Sequence, residues 1–215
     1  MNDIKTASTE VYGMPVGPLE SNCFLVVETQ DRHALLIDPG ADPDKICDWC
    51  AMHRAQVEKI LLTHGHGDHI GANAALKERL QVPIGIHEKE KDFLIDPLLN
   101  LSAYFDPVTS PAADFYLVDG EEIDWHGPAV KVLHTPGHSP GSVSFYSEGW
   151  LISGDVLFQG SIGRTDFPGS DMITLQKSIR EKLLVLPPET VVYPGHGPAT
   201  TIGEEIQSNP FLHLG

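Results

Sequence analysis

Apolar residues in this chain come in short runs separated by polar breaks rich in Gly and Pro. The runs at 22–28, 33–37, 57–62, 129–134, 142–146, 150–152 and 190–193 have strand length and β-branched content, and read as strands. Between them, 42–54, 72–80 and 171–184 carry helical spacing. The first of these opens Asp42-Pro43-Asp44, and Pro at the first helical position forfeits no needed hydrogen bond. In the last, Ile173, Leu175, Ile179 and Leu183 form the expected apolar stripe, with Asp171 at the positive helix N-terminus. Strands come first in hairpin-like pairs, then alternate with helices, then repeat that scheme. Such an order predicts an α/β protein of two layered sheets with helices outside.

No linker, repeat or charge block divides residues 1–215, so a single domain is expected, with 41% apolar residues to build its core. Lys and Arg total 14 against 30 Asp and Glu, a net charge of −16, which disfavours nucleic acid and anionic membranes as partners. Met1 to Thr9 is polar with no apolar segment behind it, unlike a signal peptide or membrane span. Three cysteines make no disulfide framework, and a cytoplasmic location is the expectation. Cys47-Asp48-Trp49-Cys50 spells C-x-x-C, but Ile46, Trp49, Cys50 and His53 share a helix face, so the pair reads as core. Cys23 reads as buried in its strand.

Eleven histidines carry the chemistry. The buried-strand run Ile60-Leu61-Leu62 leads straight into Thr63-His64-Gly65-His66-Gly67-Asp68-His69. Alternation in an extended turn aims His64 and His66 the same way, and Asp68 and His69 follow at the start of a helix. That density of ligand-type side chains after a strand is a metal-site pattern. Three later strands each end in a similar residue: His138 after Thr135-Pro136-Gly137, Asp155 after Ser153-Gly154, and His196 after Pro194-Gly195. Strand ends gathered at one sheet edge would assemble these distant residues into a single site on rigid supports. Asp38, in the turn Asp38-Pro39-Gly40, is a candidate support for the metal loops, and His134 reads as a support rather than a ligand. His33, His53, His87, His126 and His213 lack partner motifs and read as ordinary histidines.

His64-x-His66-x-Asp68-His69 followed by His138, Asp155 and His196 resembles the metallo-β-lactamase superfamily along nearly the whole chain. The stretch from Leu157 to Phe167 and the ending from Tyr193 to Phe211 are similar to its glyoxalase II-like branch, especially short bacterial hydroxyacylglutathione hydrolases. The resemblance implies a four-layer αβ/βα sandwich with one or two divalent ions, zinc first and iron or manganese as alternatives. It implies His64, His66 and His138 around one ion, Asp68, His69 and His196 around the other, and Asp155 between them. It further implies hydrolysis of a small anionic thioester of the S-lactoylglutathione type by a metal-bridging hydroxide, with Asp68 and Asp155 as catalytic carboxylates. Arg164 matches a substrate-binding Lys of that branch, while Thr165-Asp166 replaces an aromatic pair and Gly197-Pro198 stands where a Tyr is usual. Only Gly197 to Gly215 follow His196, so no C-terminal helical glutathione-binding domain is expected. The alternative is a non-haem iron persulfide dioxygenase, which shares the fold, the ligand positions and a Gly-Arg-Thr-Asp-Phe stretch. A true β-lactamase is disfavoured, because its best-known members usually carry Cys where Asp155 stands.

Overall fold

The computed structural model describes residues 8–212, so the polar start at 1–7 and His213 lie outside the described residues. One sheet contains β1 (Thr9–Val16), β2 (Ser21–Glu28), β3 (His33–Ile37), β4 (Gln56–Leu61), β5 (Ile84–His87) and β6 (Phe115–Leu117), in that spatial order. Its first pairings, β1 with β2 and β2 with β3, are antiparallel, and the rest are parallel. Helices α1 (Pro43–Met52), α2 (Gly67–Ile70) and α3 (Asn73–Leu80) fall in the connections. The second sheet uses β7 (Lys131–His134), β8 (Val143–Ser147), β9 (Trp150–Gly154), β12 (Val191–Pro194) and β13 (Thr200–Thr201), in the order β13-β12-β9-β8-β7. A small hairpin, β10 (Leu157–Phe158) with β11 (Ser161–Ile162), lies apart, and α4 (Met172–Ser178) and α5 (Ile202–Ser208) complete the chain.

Alternation along the strands decides the layering. Leu35 and Ile37 of β3 face the second sheet with Phe24, Val26 and Leu61, and meet Val132, Phe145 and Ile152 from the other side. Ala34 and Leu36 face outward onto Ile46, Cys50 and Leu76 of α1 and α3. Leu133, Leu151 and Val192 of the second sheet face outward onto Leu175, Ile179 and Ile202. The result is the expected helix–sheet–sheet–helix sandwich, with central strands such as β2, β3 and β9 buried on both faces. Among the described residues no helix is long and apolar enough to cross a membrane.

Ends of the predicted elements differ from the sequence reading by a residue or two, and several elements were not predicted, among them β6, β10, β11, β13 and α5 as well as β1 and β5. The strands β1 and β5 were not expected, because their apolar content is interrupted: Thr9–Val16 alternates with polar residues, and Ile84-Gly85-Ile86 is very short. The 171–184 helix runs as α4 and then continues through a π-helical turn, Ile179–Leu183. Ile173 leaves the predicted stripe and is 78% exposed, whereas Leu175, Ile179 and Leu183 are fully buried. Ile173 is two residues from Leu175, a spacing that puts side chains on different helix faces. Asp171 does cap the helix, accepting from the Thr174 amide at 2.7 Å. The Cys47–Cys50 segment packs as a core face: Ile46 and Cys50 are buried, and Trp49 lies against them.

This packing predicts unequal costs within one helix. Leu175→Ala should cost about 2–5 kcal/mol and Ile173→Ala within about 0.5 kcal/mol, read from urea unfolding midpoints at constant slope.

Candidate metal centre

The site residues stand at the carboxyl ends of strands from both sheets. After β4, Thr63 to His66 turn across the sheet edge, and Gly67–Ile70 forms the short α2 that presents Asp68 and His69. His138 follows β7, Asp155 follows β9, and His196 follows β12. All seven predicted ligands converge. His66 Nδ1 lies 3.0 Å from His138 Nε2, and His138 Nε2 lies 3.6 Å from Asp155 Oδ2. On the other side His69 Nε2 is 3.6 Å from both Asp68 Oδ2 and Asp155 Oδ1. His196 Nε2 is 3.1 Å from Asp68 Oδ2 and 3.7 Å from Asp155 Oδ2. The donors of His64, His66 and His138 lie within 4.8 Å of one another, as do those of Asp68, His69 and His196, with Asp155 reaching both groups.

Hydrogen bonds on the far side of three of the rings decide which nitrogen faces the centre. Thr63 Oγ1 donates to Asp38 Oδ2 at 2.6 Å, so His64 Nδ1, 3.0 Å from that hydroxyl, must donate to it, leaving Nε2 as a lone pair. His69 Nδ1 donates to Asp38 Oδ2 at 3.0 Å, and His138 Nδ1 donates to the Arg164 carbonyl at 2.9 Å. Imidazoles fixed this way are oriented and made more basic toward a metal. His64 Nε2, His69 Nε2 and Asp155 Oδ1 are buried with no hydrogen-bond partner. Such orphans cost about 1–3 kcal/mol each, which a cation would remove. Zinc bonds of about 2.0–2.2 Å set neighbouring donors about 3.3–3.6 Å apart, close to the separations seen here. The donor set therefore fits divalent metal.

Charge follows burial. Desolvation, then the neighbouring imidazoles, hold His64 well below the ordinary histidine range, and burial does the same to His66. Burial also opposes a charge on His69, but Asp68, Asp155 and Asp38 together lift it to about 10. Asp68, despite its burial, is held below the usual carboxylate range by His69 and His196. Without metal, His69 thus keeps a proton that a metal must displace.

Asp38 performs the supporting role read from its turn. It is fully buried, adopts a left-handed backbone at φ 51°, and accepts from the Thr63 amide at 2.8 Å as well as from Thr63 Oγ1 and His69. His134 braces the His138 loop, its Nε2 lying 3.2 Å from the Pro140 carbonyl, and its ring stacks on His87. Three supports escaped the sequence reading. Glu90, wholly buried, accepts from the Gly65 amide, the Gly141 amide and Ser139 Oγ, tying the His64–His66 loop to the His138 loop. Asn22 Nδ2 donates to the carbonyls of Pro194 and Gly197 around His196, and Ser21 Oγ donates to the Asp68 carbonyl. Glu90 sits among charged residues with no ligand motif, and Asn22 opens an apolar strand run just after Ser21, so none carries a local signal. Gly195 is required by proximity: a Cβ there would stand 2.1 Å from Asp155 Oδ1.

Arg164 lies at the rim. Its side chain is exposed and makes two bonds to Asp166, Nε to Oδ1 at 3.0 Å and Nη2 to Oδ2 at 2.7 Å. The guanidinium also covers the Phe167 ring at 4.4 Å, and that ring packs edge-on to His66 and His138. His196 and Asp68 are the more exposed ligands, so the centre opens to solvent on their side.

The sequence model of the metallo-beta-lactamase superfamily matches residues 16–196, from β1 to the last histidine of the site. The chain belongs to that superfamily. Membership and the histidine cluster together imply divalent metal and a metal-dependent hydrolase. Hydroxyacylglutathione hydrolase GloC of Haemophilus influenzae is 40% identical over 209 residues, covering 93% of this chain and 96% of its own. The BLEG-1 B3 metallo-beta-lactamase superposes with a TM-score of 0.91 at 43% identity, over 95% of this chain and all of its own. TTHA1623, solved in a di-iron-bound form, superposes at 0.85 with 41% identity, over 94% of this chain and all of its own.

Two outcomes follow from the site. Asp38→Asn keeps the size but weakens two of the bonds that aim the donors, and should lower metal affinity about 10- to 100-fold in a competitive chelator titration. The metal-free chain should be least stable at the two ends of a pH series. The lowered His64 and His66 favour folding above their ordinary 6.5, and that contribution is lost as pH falls below it. The raised His69 favours folding below 6.5, and its contribution is lost as pH climbs toward about 10. Melting temperature against pH, with and without EDTA treatment, should show both limbs flatten once metal is loaded.

Proposed function

We propose that this chain hydrolyses small anionic thioesters of the S-lactoylglutathione type at a two-metal centre. The observation that carries the reading is the pair of donor groups sharing Asp155, with buried donor atoms that no protein group satisfies. Its support in substrate terms is the likeness to GloC along nearly the full length of both chains. His64 Nε2, His66 Nδ1 and His138 Nε2 would hold one ion, Asp68, His69 and His196 the other, and Asp155 one oxygen toward each. Zinc suits this imidazole and carboxylate set, as do iron and manganese. Such ions supply Lewis acidity and the activation of water at neutral pH.

The chain's own groups do the rest. Asp68 Oδ2 faces His69 and His196, which leaves Oδ1 to accept a hydrogen bond from the attacking water and aim it at the carbonyl carbon. The water oxygen adds to that carbon, the carbon–sulfur bond breaks, and the products are a carboxylic acid and a thiol. Phe167 forms an apolar wall beside His66 and His138 against which the acyl group can pack. No cysteine serves as nucleophile: Cys23 and Cys50 are buried, burial pushes the Cys50 thiol up to about 11, and Cys47 packs with α1 on the outer side of the first sheet. Arg164 is the anchor for the substrate carboxylate, reached by exchanging Asp166 for the incoming anion. The likeness to BLEG-1 favours a second substrate class, a cyclic amide, at the same centre.

Purified protein reconstituted with zinc, iron or manganese should retain two tight equivalents at this centre. Asp155→Ala should weaken both, and His196→Ala chiefly the second. S-lactoylglutathione should be hydrolysed without a burst, and EDTA should abolish turnover. Oxygen uptake on glutathione persulfide, or turnover confined to β-lactams, would overturn the thioester reading. A charge-assisted hydrogen bond contributes about 1.5–3 kcal/mol, so Arg164→Ala should lower kcat/KM about 10- to 150-fold on anionic thioesters and far less on neutral ones. Asp166→Ala should change it in the opposite direction. Equal losses on both substrate classes would leave Arg164 as a loop brace alone.

A further inference from the structure

A second group of metal-type donors stands at the opposite end of the same strands. His33 opens β3, Glu58 lies in β4, and His126 lies in the crossover from β6 to β7 that joins the two sheets. Their three donor atoms fall within 4.8 Å of one another. Glu58 Oε1 is 2.7 Å from His33 Nδ1 and 3.0 Å from His126 Nδ1. The two imidazoles stack at 4.6 Å between centroids, 27° from parallel. From His33 to Asp38 the strand advances about 16 Å at about 3.3 Å per residue, so this cluster is remote from the hydrolytic centre.

The local backbone is bent to make the group. β3 and β4 pair Ala34 with Val57 but Leu35 with Lys59, so Glu58 is the extra residue of a β-bulge. Val57 packs on the outer helical side and Lys59 reaches over Phe115 on the inner side. Strict alternation from Ile60 would put Glu58 on the outer side with Ile60, away from His33; the bulge turns it toward the two histidines. The His33 nitrogen is itself left over. Although Glu58 Oε1 is close, it stands out of line for a ring N–H to donate, and His33 Nδ1 is buried with no hydrogen-bond partner. A buried nitrogen aimed beside a carboxylate that already serves a second imidazole suits a shared cation better than a shared proton. Glu28, Asp31 and Glu148 line the same depression and add negative potential.

We infer that His33, Glu58 and His126 form a separate site for a divalent transition ion, zinc or copper rather than magnesium or calcium. Two imidazoles and one carboxylate are the donor set that the softer ions accept and the hard ones do not. The remaining positions open to water. A cation here clamps the crossover carrying His126 onto β3 and β4, so its effect is on stability, not turnover.

The test uses the enzyme already loaded at its hydrolytic centre and titrated calorimetrically with zinc. Wild type should take up one further equivalent, and magnesium should give no heat. His126→Ala, at a well-exposed ring, and His33→Ala should each lose that equivalent while keeping the activity of the loaded enzyme. Loss of an outer partner alone costs a metal site about 10- to 100-fold, so loss of a ligand should weaken this one at least ~100-fold. At a hundredfold excess over Kd, zinc should raise the melting temperature of wild type by about 5–10 °C and leave both variants unmoved. An absent further equivalent in wild type, or one that survives in both variants, overturns the site. Neither result bears on thioester hydrolysis, which is read from turnover.

Discussion

The site depends on holding bare donor atoms together in a buried place. Donor atoms crowded to 3.0–3.7 Å have lost their water, and without a metal only protons held on rings such as His69 offset part of that loss. Left free, His64, His66 and His138 would turn outward to solvent. His64 and His138 stay because each is held from behind, by Thr63 and by the Arg164 carbonyl, as His69 is by Asp38, and because the loops carrying the ligands are tied by Glu90, Ser21 and Asn22. The energy of those braces offsets the desolvated centre, and a cation converts the strain into affinity.

Asp38 shows how far one group can serve this end. Its left-handed backbone is tolerated by an Asp at modest cost, and it ends β3 so that the carboxylate points beneath β4. From there it satisfies the Thr63 amide and hydroxyl and orients His69, linking both halves of the ligand set. Glu90 does the same between the two histidine loops from the other side of the sheet edge. Both carboxylates are fully buried, and each is surrounded by donors that leave it no unmet demand.

The sandwich separates stability from chemistry. Inter-sheet packing of Phe24, Leu35 and Leu61 against Phe145 and Ile152 fixes the relative position of the strand ends. The loops beyond those ends carry the ligands at one edge. At the other edge the strands begin, and there a bulge and a crossover bring His33, Glu58 and His126 together. Rigid strands running between the two edges keep the clusters apart, so each can be altered without moving the other.

Much was legible in the chain alone. Short continuous apolar runs of strand length located the central strands, and ligand-type residues at their ends marked His64, His66, Asp68, His69, His138, Asp155 and His196, because a strand followed by a turn is a local signal. What folding decided was every relation between distant segments. Weak or interrupted strands such as β1 and β5 exist because neighbours pair with them, not because their own sequence insists. Ile173 looked like core and is exposed, since helix phase is set by the sheet it packs on. Glu90, Ser21 and Asn22 have no local mark of function, and Arg164 meets Asp166 only in the folded loop. His33 and His126 read as ordinary for the same reason: a donor is recognised by the lone pairs it faces. Those are set by a bulge and a crossover that no short stretch of sequence contains.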